Sequence, residues 1–274
     1  MPEPASCEEP YRVVGRALRT PTILELRLRP LVAGLAYLPG QYLLLEDRAY
    51  TVAPRSYSIA NAPRADGRLS LLVTHVPGGQ ASTWIHERLR VGDDVSVSGP
   101  HGTFVDDAAS TAPALFLAAG SGLAPIRALI DGALLTGARP SLTLVFSARS
   151  EADVIDCKRF TRCQSLHPRF RFIRTLTREA GPAPNGRIPA VLPNLYDGLA
   201  RYDVFVAGAA GFVTACARAA EALHADHARV RTEVFFAGSE ADGATRRTPR
   251  DCQTRQNRSV TSPIGGHHVA PGNR

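Results

Sequence analysis

The chain has 274 residues, of which 44% are hydrophobic and 21% charged, and its formal net charge is +7. A chain of this length buries about 75% of its unfolded surface, as one large domain or two ordinary ones, so it folds without disulfide or metal staples. The opening MPEPASCEEPYR has no basic n-region and no apolar run, and no stretch reaches the ~20 apolar residues of a membrane helix. The expectation is a cytoplasmic protein with no membrane partner. Part of the positive charge lies in residues 238–274, which hold six Arg against three Asp or Glu. The remaining body is only mildly basic, so nucleic acid is not expected as a partner.

In chain order, RVVGRAL, ILELRLRPL, QYLLLED, RSYSIAN, LSLLVTHV and DDVSVSGP read as short strands. PG, ADG and PGG punctuate them as turns. Six such strands predict a small antiparallel barrel over residues 10–107, after an N-terminal extension at 1–9. DDAASTAP, residues 106–113, reads as a linker.

The pattern then changes. ALFLAAG is a continuous apolar run, as in a strand buried on both faces. It leads into SGLAPIRALIDGALL, where Ile126, Leu129, Ile130 and Leu134 recur at helical spacing. SLTLVFSAR, RFRFIRTLT and YDVFVAGA follow as strands, GFVTACARAAEALHADH as a helix, and VRTEVFFA as a closing strand. Strands alternating with helices predict a parallel α/β domain over residues 108–237. From Gly238 onward the sequence is polar and aperiodic, and residues 238–274, with His267 and His268, read as a disordered tail. The cysteines at 7, 157, 163, 216 and 252 form no CxxC and no iron–sulfur spacing, and read as free thiols.

Three segments carry chemistry. In RSYSIAN, Tyr57 offers a flat face for stacking, Arg55 a fork for a phosphate, and Ser58 a hydroxyl that donates or accepts. An ordinary edge strand accounts for the same residues. In HVPGGQASTWIHERL, Gly78 and Gly79 precede Ser82, a candidate N-cap, with Trp84, Ile85 and Leu89 as the apolar side. This is a phosphate cradle or a plain capped helix. In AAGSGLAPI, Gly120 and Gly122 permit a tight turn into a helix whose N-terminal amides suit an anion, and Pro125 fits the first turn. A purely structural strand-to-helix turn has the same sequence.

Taken in order, RSYS, GGQAS, VGDDVSVSGPHGTF, AAGSGLAPI, FSARSEADV and YDVFVAGAAGFV resemble the ferredoxin–NADP reductase family of flavoproteins, over about residues 10 to 237. The likeness is strongest to the reductase components of bacterial oxygenases and related flavin reductases. It implies a six-stranded antiparallel Greek-key barrel that binds FAD, then a Rossmann-like parallel α/β domain that binds NADH or NADPH. It also implies roles. Arg55 holds the flavin pyrophosphate, Tyr57 stacks on the isoalloxazine, and Ser58 sits near N5, with Ile59 and His75 beside them. Gly78, Gly79, Gln80, Ala81 and Ser82 cradle the FAD phosphates. Gly120, Ser121, Gly122 and Pro125 line the pyrophosphate of the nicotinamide nucleotide. Gly208, Glu233 and Phe235 fall near the nicotinamide, with Tyr57, Ser58 and Glu233 as the catalytic set.

The sequence departs from the family at AGAAGF. Ala207 stands for the usual cysteine, Ala209 and Ala210 for prolines, and Phe212 for methionine. An iron–sulfur domain, often fused in such reductases, is not expected, so electrons would pass to a separate ferredoxin or oxygenase component. Reduction of free flavin and a nucleotide-binding relic without turnover are the alternatives. In SARSEADV, Arg149 is placed to reach the 2′-phosphate of NADPH, whereas Glu151 and Asp153 repel it and favour NADH.

Overall fold

The alternating segments pair as strands because each has one face to bury. The computed structural model describes residues 8–49, 51–179 and 184–235. Its first six strands are β1 (Glu9–Leu18), β2 (Ile23–Pro30), β3 (Tyr42–Asp47), β4 (Arg55–Ser58), β5 (Leu69–Thr74) and β6 (Asp94–His101). They pair antiparallel in the order β4-β3-β6-β1-β2-β5. An isolated bridge from Ile59 to Leu71 joins the two ends of that order just past β4. Beside it the Ala60 amide donates to the Ser70 carbonyl at 2.7 Å. Leu26, Leu43, Ile59, Leu71 and Val97 fill the interior. A short helix α1 (Gln80–Thr83) runs on into a wider turn through Arg88 and adds Trp84 and Ile85 to that core.

The second half contains β7 (Ala114–Ala119), α2 (Leu123–Thr136), β8 (Leu142–Ala148), α3 (Cys157–Leu166), β9 (Phe170–Leu176), α4 (Ile188–Leu195), β10 (Asp203–Ala209), α5 (Ala210–Ala222) and β11 (Val230–Phe235). All five strands are parallel, in the order β11-β10-β7-β8-β9. The chain starts in the middle at β7, moves outward through β8 and β9, then returns to the other side of β7 as β10. The carboxyl ends of β7 and β10 therefore form a topological switch point, where open α/β sheets bind ligands.

The barrel and the parallel sheet share a core. Ile23, Ala60, Leu72 and Phe104 of the barrel pack in one cluster with Ile126, Leu129 and Ile130 of α2. The first half of β2 is consequently buried on both faces: Leu24 and Leu26 point into the barrel, while Ile23 packs in the shared cluster; further along, Arg27 and Arg29 are exposed.

Several expectations are corrected. Ser82 does not cap a helix: Gly79 is the N-cap residue, and the Ser82 hydroxyl turns back, accepting from the Val76 amide at 3.1 Å. The fifth helix starts at Ala210 and stops at Ala222, short of the predicted 227. Helices α3 and α4 were not anticipated. Phe160 alone in α3 is fully buried, so its apolar stripe is faint, and IPAVLPNL carries two prolines that read as breakers. Strand β1 begins at Glu9, inside the predicted extension. The tail from 238 onward, with His267 and His268, lies outside the described residues, as do Cys7 and Cys252. Among the described residues no helix is long and apolar enough to cross a membrane.

Candidate active site

Strand β4 hangs on β3, with Ser58 opposite Tyr42 and Tyr57 opposite Leu43. Alternation puts Tyr57 and Ser58 on opposite faces. Arg55 is exposed, and it has no hydrogen-bond or ion-pair partner among the described residues. Tyr57 is half-buried, and burial pushes its phenol above the ordinary range, so the ring stays neutral. Ser58 is buried and donates to Glu233 Oε1 of β11 at 2.5 Å, 175 residues away.

This contact places the barrel strand RSYS against the last described strand of the parallel sheet. Burial pushes the Glu233 carboxyl up to about 7, although the Ser58 hydroxyl pulls the other way. Its second oxygen, Oε2, is buried with no partner among the described residues. Nearly all buried polar atoms are satisfied in proteins, so such an orphan marks a place where a ligand or water completes the set. Phe235 pairs with Ala209 two residues further on.

The carboxyl ends of β7 and β10 approach closely. A methyl group on Gly122 would fall 2.3 Å from the Ala207 carbonyl oxygen, which explains why the turn into α2 uses glycine there. Ser121 in the same turn accepts from Thr74 Oγ1 of β5 at 2.8 Å, a second polar contact between barrel and sheet. Pro125 is buried within the first turn of α2. Gly208 lies against Gly122 in this tight crossing.

On the barrel side, Gly78 takes a left-handed φ of 76° with nothing near the position of a Cβ, and it leads into α1. The first-turn amides of α1, from Gln80 to Ser82, have no acceptor within their own helix. His75 packs its ring on His86 at 5.1 Å between centroids. Ile59 is fully buried, with its side chain in the barrel core and its amide donating to the Gln41 carbonyl at 3.0 Å, so only its carbonyl remains for a ligand.

The structure thus brings together Ser58, Glu233, the 120–122 turn and Gly208. Arg149 is exposed past the end of β8, and its carbonyl accepts from the Arg178 amide. In the same loop Glu151 pairs with Arg174 at 2.9 Å and Asp153 accepts from Ser150 at 2.9 Å. Sequence reasoning missed Thr74 and the buried Arg127. The signal for Arg127 was available: a charged residue inside the apolar stripe LAPIRALI. Cys157, Cys163 and Cys216 are free thiols, and among the described residues no three His, Cys, Asp or Glu side chains are grouped to hold a metal ion.

Comparisons with known proteins assign the two halves to two domain families. Residues 19–105 match the oxidoreductase FAD-binding domain family, and residues 116–218 match the oxidoreductase NAD-binding domain family. The chain belongs to the ferredoxin–NADP reductase family of flavoproteins. It is 40% identical over 149 residues to ferredoxin–NADP reductase B of Sorangium cellulosum, covering 53% of this chain and 60% of that protein. It is 31% identical over 216 residues to the terephthalate 1,2-dioxygenase reductase component 1 of Comamonas, covering 76% of this chain and 62% of the relative. Among solved structures, the cytochrome P450 reductase GcoB of Amycolatopsis superposes with a TM-score of 0.78 at 28% identity, over 84% of this chain and 70% of that one. This family member therefore spans less than two thirds of the length of these two curated relatives.

The residues present fit the family's two nucleotides. The Gly78–Ser82 turn and the exposed Arg55 suit the phosphates of FAD, Tyr57 supplies a neutral ring, and the 120–122 turn at the switch point suits a second pyrophosphate.

Proposed function

We propose that this chain is a reductase that takes hydride from NADH or NADPH onto bound FAD and passes the electrons singly to a separate protein acceptor. The observation that carries this reading is the Ser58–Glu233 hydrogen bond, which joins the two nucleotide-binding halves at a buried carboxyl with one unpartnered oxygen. FAD supplies a ring system that accepts hydride and releases electrons one at a time.

The chain's own residues position and tune. Arg55 pairs with phosphate and Tyr57 stacks on a flat ring. The 120–122 turn receives a pyrophosphate at the start of α2. Glu233, titrating near 7, is present in both protonation states at neutral pH, so it holds or releases a proton at the Ser58 hydroxyl. Close apposition of the two halves would shield a ring held between them from water.

Two finer points belong to this reading. The coenzyme is NADH, because the loop after β8 presents Asp153, and Glu151 beside it in a pair with Arg174, against a 2′-phosphate that only the exposed Arg149 of that loop is free to hold. The acceptor is a ferredoxin or an oxygenase component, in keeping with the names of the relatives. The site residues follow as assigned above, with Ser58, Tyr57 and Glu233 acting closest to the reacting atoms.

The test is an absorbance spectrum of the purified protein followed by anaerobic titration. We expect retained flavin, bleached by NADH with a higher kcat/KM than by NADPH. Arg55→Ala and Tyr57→Ala should lose FAD, whereas Ser58→Ala should keep it and be reduced more slowly. A flavin-loaded protein that neither nucleotide bleaches would overturn the reading.

A further inference from the structure

One buried cation at the junction has no part in the chemistry above. Arg127 lies one turn into α2 and is only 3% exposed. Its Nε donates to the Ala60 carbonyl at 2.5 Å, its Nη2 to Glu25 Oε1 at 2.7 Å, and its Nη1 to Asp156 Oδ2 at 2.6 Å. Each guanidinium nitrogen has its own acceptor, and each acceptor belongs to a different segment. Ala60 is two residues past Ser58. Glu25 stands on β2. Asp156 closes the loop after β8, which carries Arg149, Glu151 and Asp153, and it is the N-cap residue of α3.

The surroundings make these contacts rigid. Burial pushes the Glu25 carboxyl up, but Arg127 and Arg19 outweigh it and hold it below the ordinary range. Asp156 sits at φ 55° and ψ 26°, the left-handed region, which is strained for a non-glycine residue and persists where other contacts fix it. Burial alone does not require ions here, since Ile126, Leu129 and Ile130 pack the same region with apolar groups. Buried ion networks add little net stability over apolar packing. What a planar guanidinium adds is direction, because its donors point along fixed axes.

We propose that Arg127 is a positioning residue for flavin reduction. It sets the register of the strand bearing Tyr57 and Ser58 against the helix that receives the dinucleotide and against the loop at residues 149–156. Seating of the dinucleotide's adenosine end on that loop is thereby mechanically linked to the flavin side of the junction. This role rests on the reductase reading above.

Two measurements on the FAD-loaded protein test it. The first needs no dinucleotide: amide hydrogen exchange at Ile59, Ala60 and residues 157–160 should rise about tenfold or more in Arg127→Met, while β1 and β6 stay protected as in the wild type. The second is the limiting rate of anaerobic flavin reduction at saturating NADH. It should fall at least about tenfold in Arg127→Met with FAD retained, as expected when reacting groups lose their alignment. Arg127→Lys should recover part of the rate, since it keeps the charge and loses the fork. If Arg127→Met does not fold, Glu25→Gln and Asp156→Asn, which preserve volume, must each lower the limiting rate. Wild-type rate and wild-type exchange in the folded variants would sink this role alone. A wild-type protein that neither nucleotide bleaches would sink the reductase reading, and this role with it.

Discussion

Arg127 and Arg139 are close chemical copies set at different places in the molecule. Each is 3% exposed and binds two carboxylates and one main-chain carbonyl. Arg139 lies beyond the end of α2 and holds Asp203 at 2.7 Å, the Ala112 carbonyl at 2.7 Å, and both oxygens of Asp106. Asp203 also accepts from Arg229 at 2.9 Å and from Ser110 at 2.6 Å. This hub clamps the connecting segment 106–112 to the start of β10, at the amino edge of the sheet. Arg127 works near the opposite edge, where the nucleotide turn begins. One network attaches chain segments, and the other registers two halves of a site. Ion-pair chemistry alone therefore does not announce a role; the segments it joins do.

The largest expected effect should break the symmetry between the two hubs. Arg139→Met removes the cation that holds both oxygens of Asp106 and leaves Asp203 with Arg229 and Ser110 alone, and should cost about 3 kcal/mol in denaturant unfolding. The protein that remains folded should reduce its flavin at the wild-type rate. A parallel loss of that rate would mean that the amino edge also governs the site, contrary to the contrast drawn above.

A smaller effect sharpens the same contrast at the carboxyl edge. Gly122→Ala forces a methyl group against the Ala207 carbonyl and should cost about 1–3 kcal/mol, with weaker NADH binding by titration. Gly211→Ala, at the start of the neighbouring helix α5, meets nothing within 4 Å and should be neutral or stabilising by about 0.5–1 kcal/mol. Equal thermal midpoints for the two variants would refute the close crossing.

The smallest effect concerns two glutamates at the junction. Glu233 titrates near 7, above the ordinary 4.5, so the folded state holds its proton more tightly than the unfolded chain does. Its favourable contribution is complete below about pH 4.5 and is lost as pH rises through about 7. Glu233→Gln, which cannot ionise, should match the wild type at pH 4.5 and melt several degrees higher at pH 8. Glu25 is held below its ordinary value, so its contribution has the opposite sign. Glu25→Gln should cost most at neutral pH and progressively less as the solution is acidified below the ordinary carboxylate range. Melting curves across pH decide both, and parallel curves for either variant would show that its carboxyl is not shifted.

Much of the fold was legible because it rests on local patterns. The barrel strands alternate, β7 is a continuous apolar run, and the GSG turn stands between strand and helix. What stayed hidden depends on packing between distant segments. Glu25 occupies a position that a period-two reading assigns to solvent, and only the cover of α2 buries it. Thr74 finds Ser121 for the same reason. The family resemblance pointed to Ser58 and Glu233 separately, but no spacing rule predicts a bond across 175 residues. Ser82 looked like a cap because its residue type suits one; its hydroxyl instead serves the preceding turn.

The Ser58–Glu233 bond also has a consequence for the order of assembly. The barrel strands and the RSYS segment leave the ribosome well before β11, which supplies Glu233 from residues 230–235. Domains fold broadly as units during synthesis, and contacts of long sequence separation close late. Glu233 reaches Ser58 only when the sheet gains its outermost strand, so the bond that ties the barrel to the sheet closes after the whole α/β half has been made.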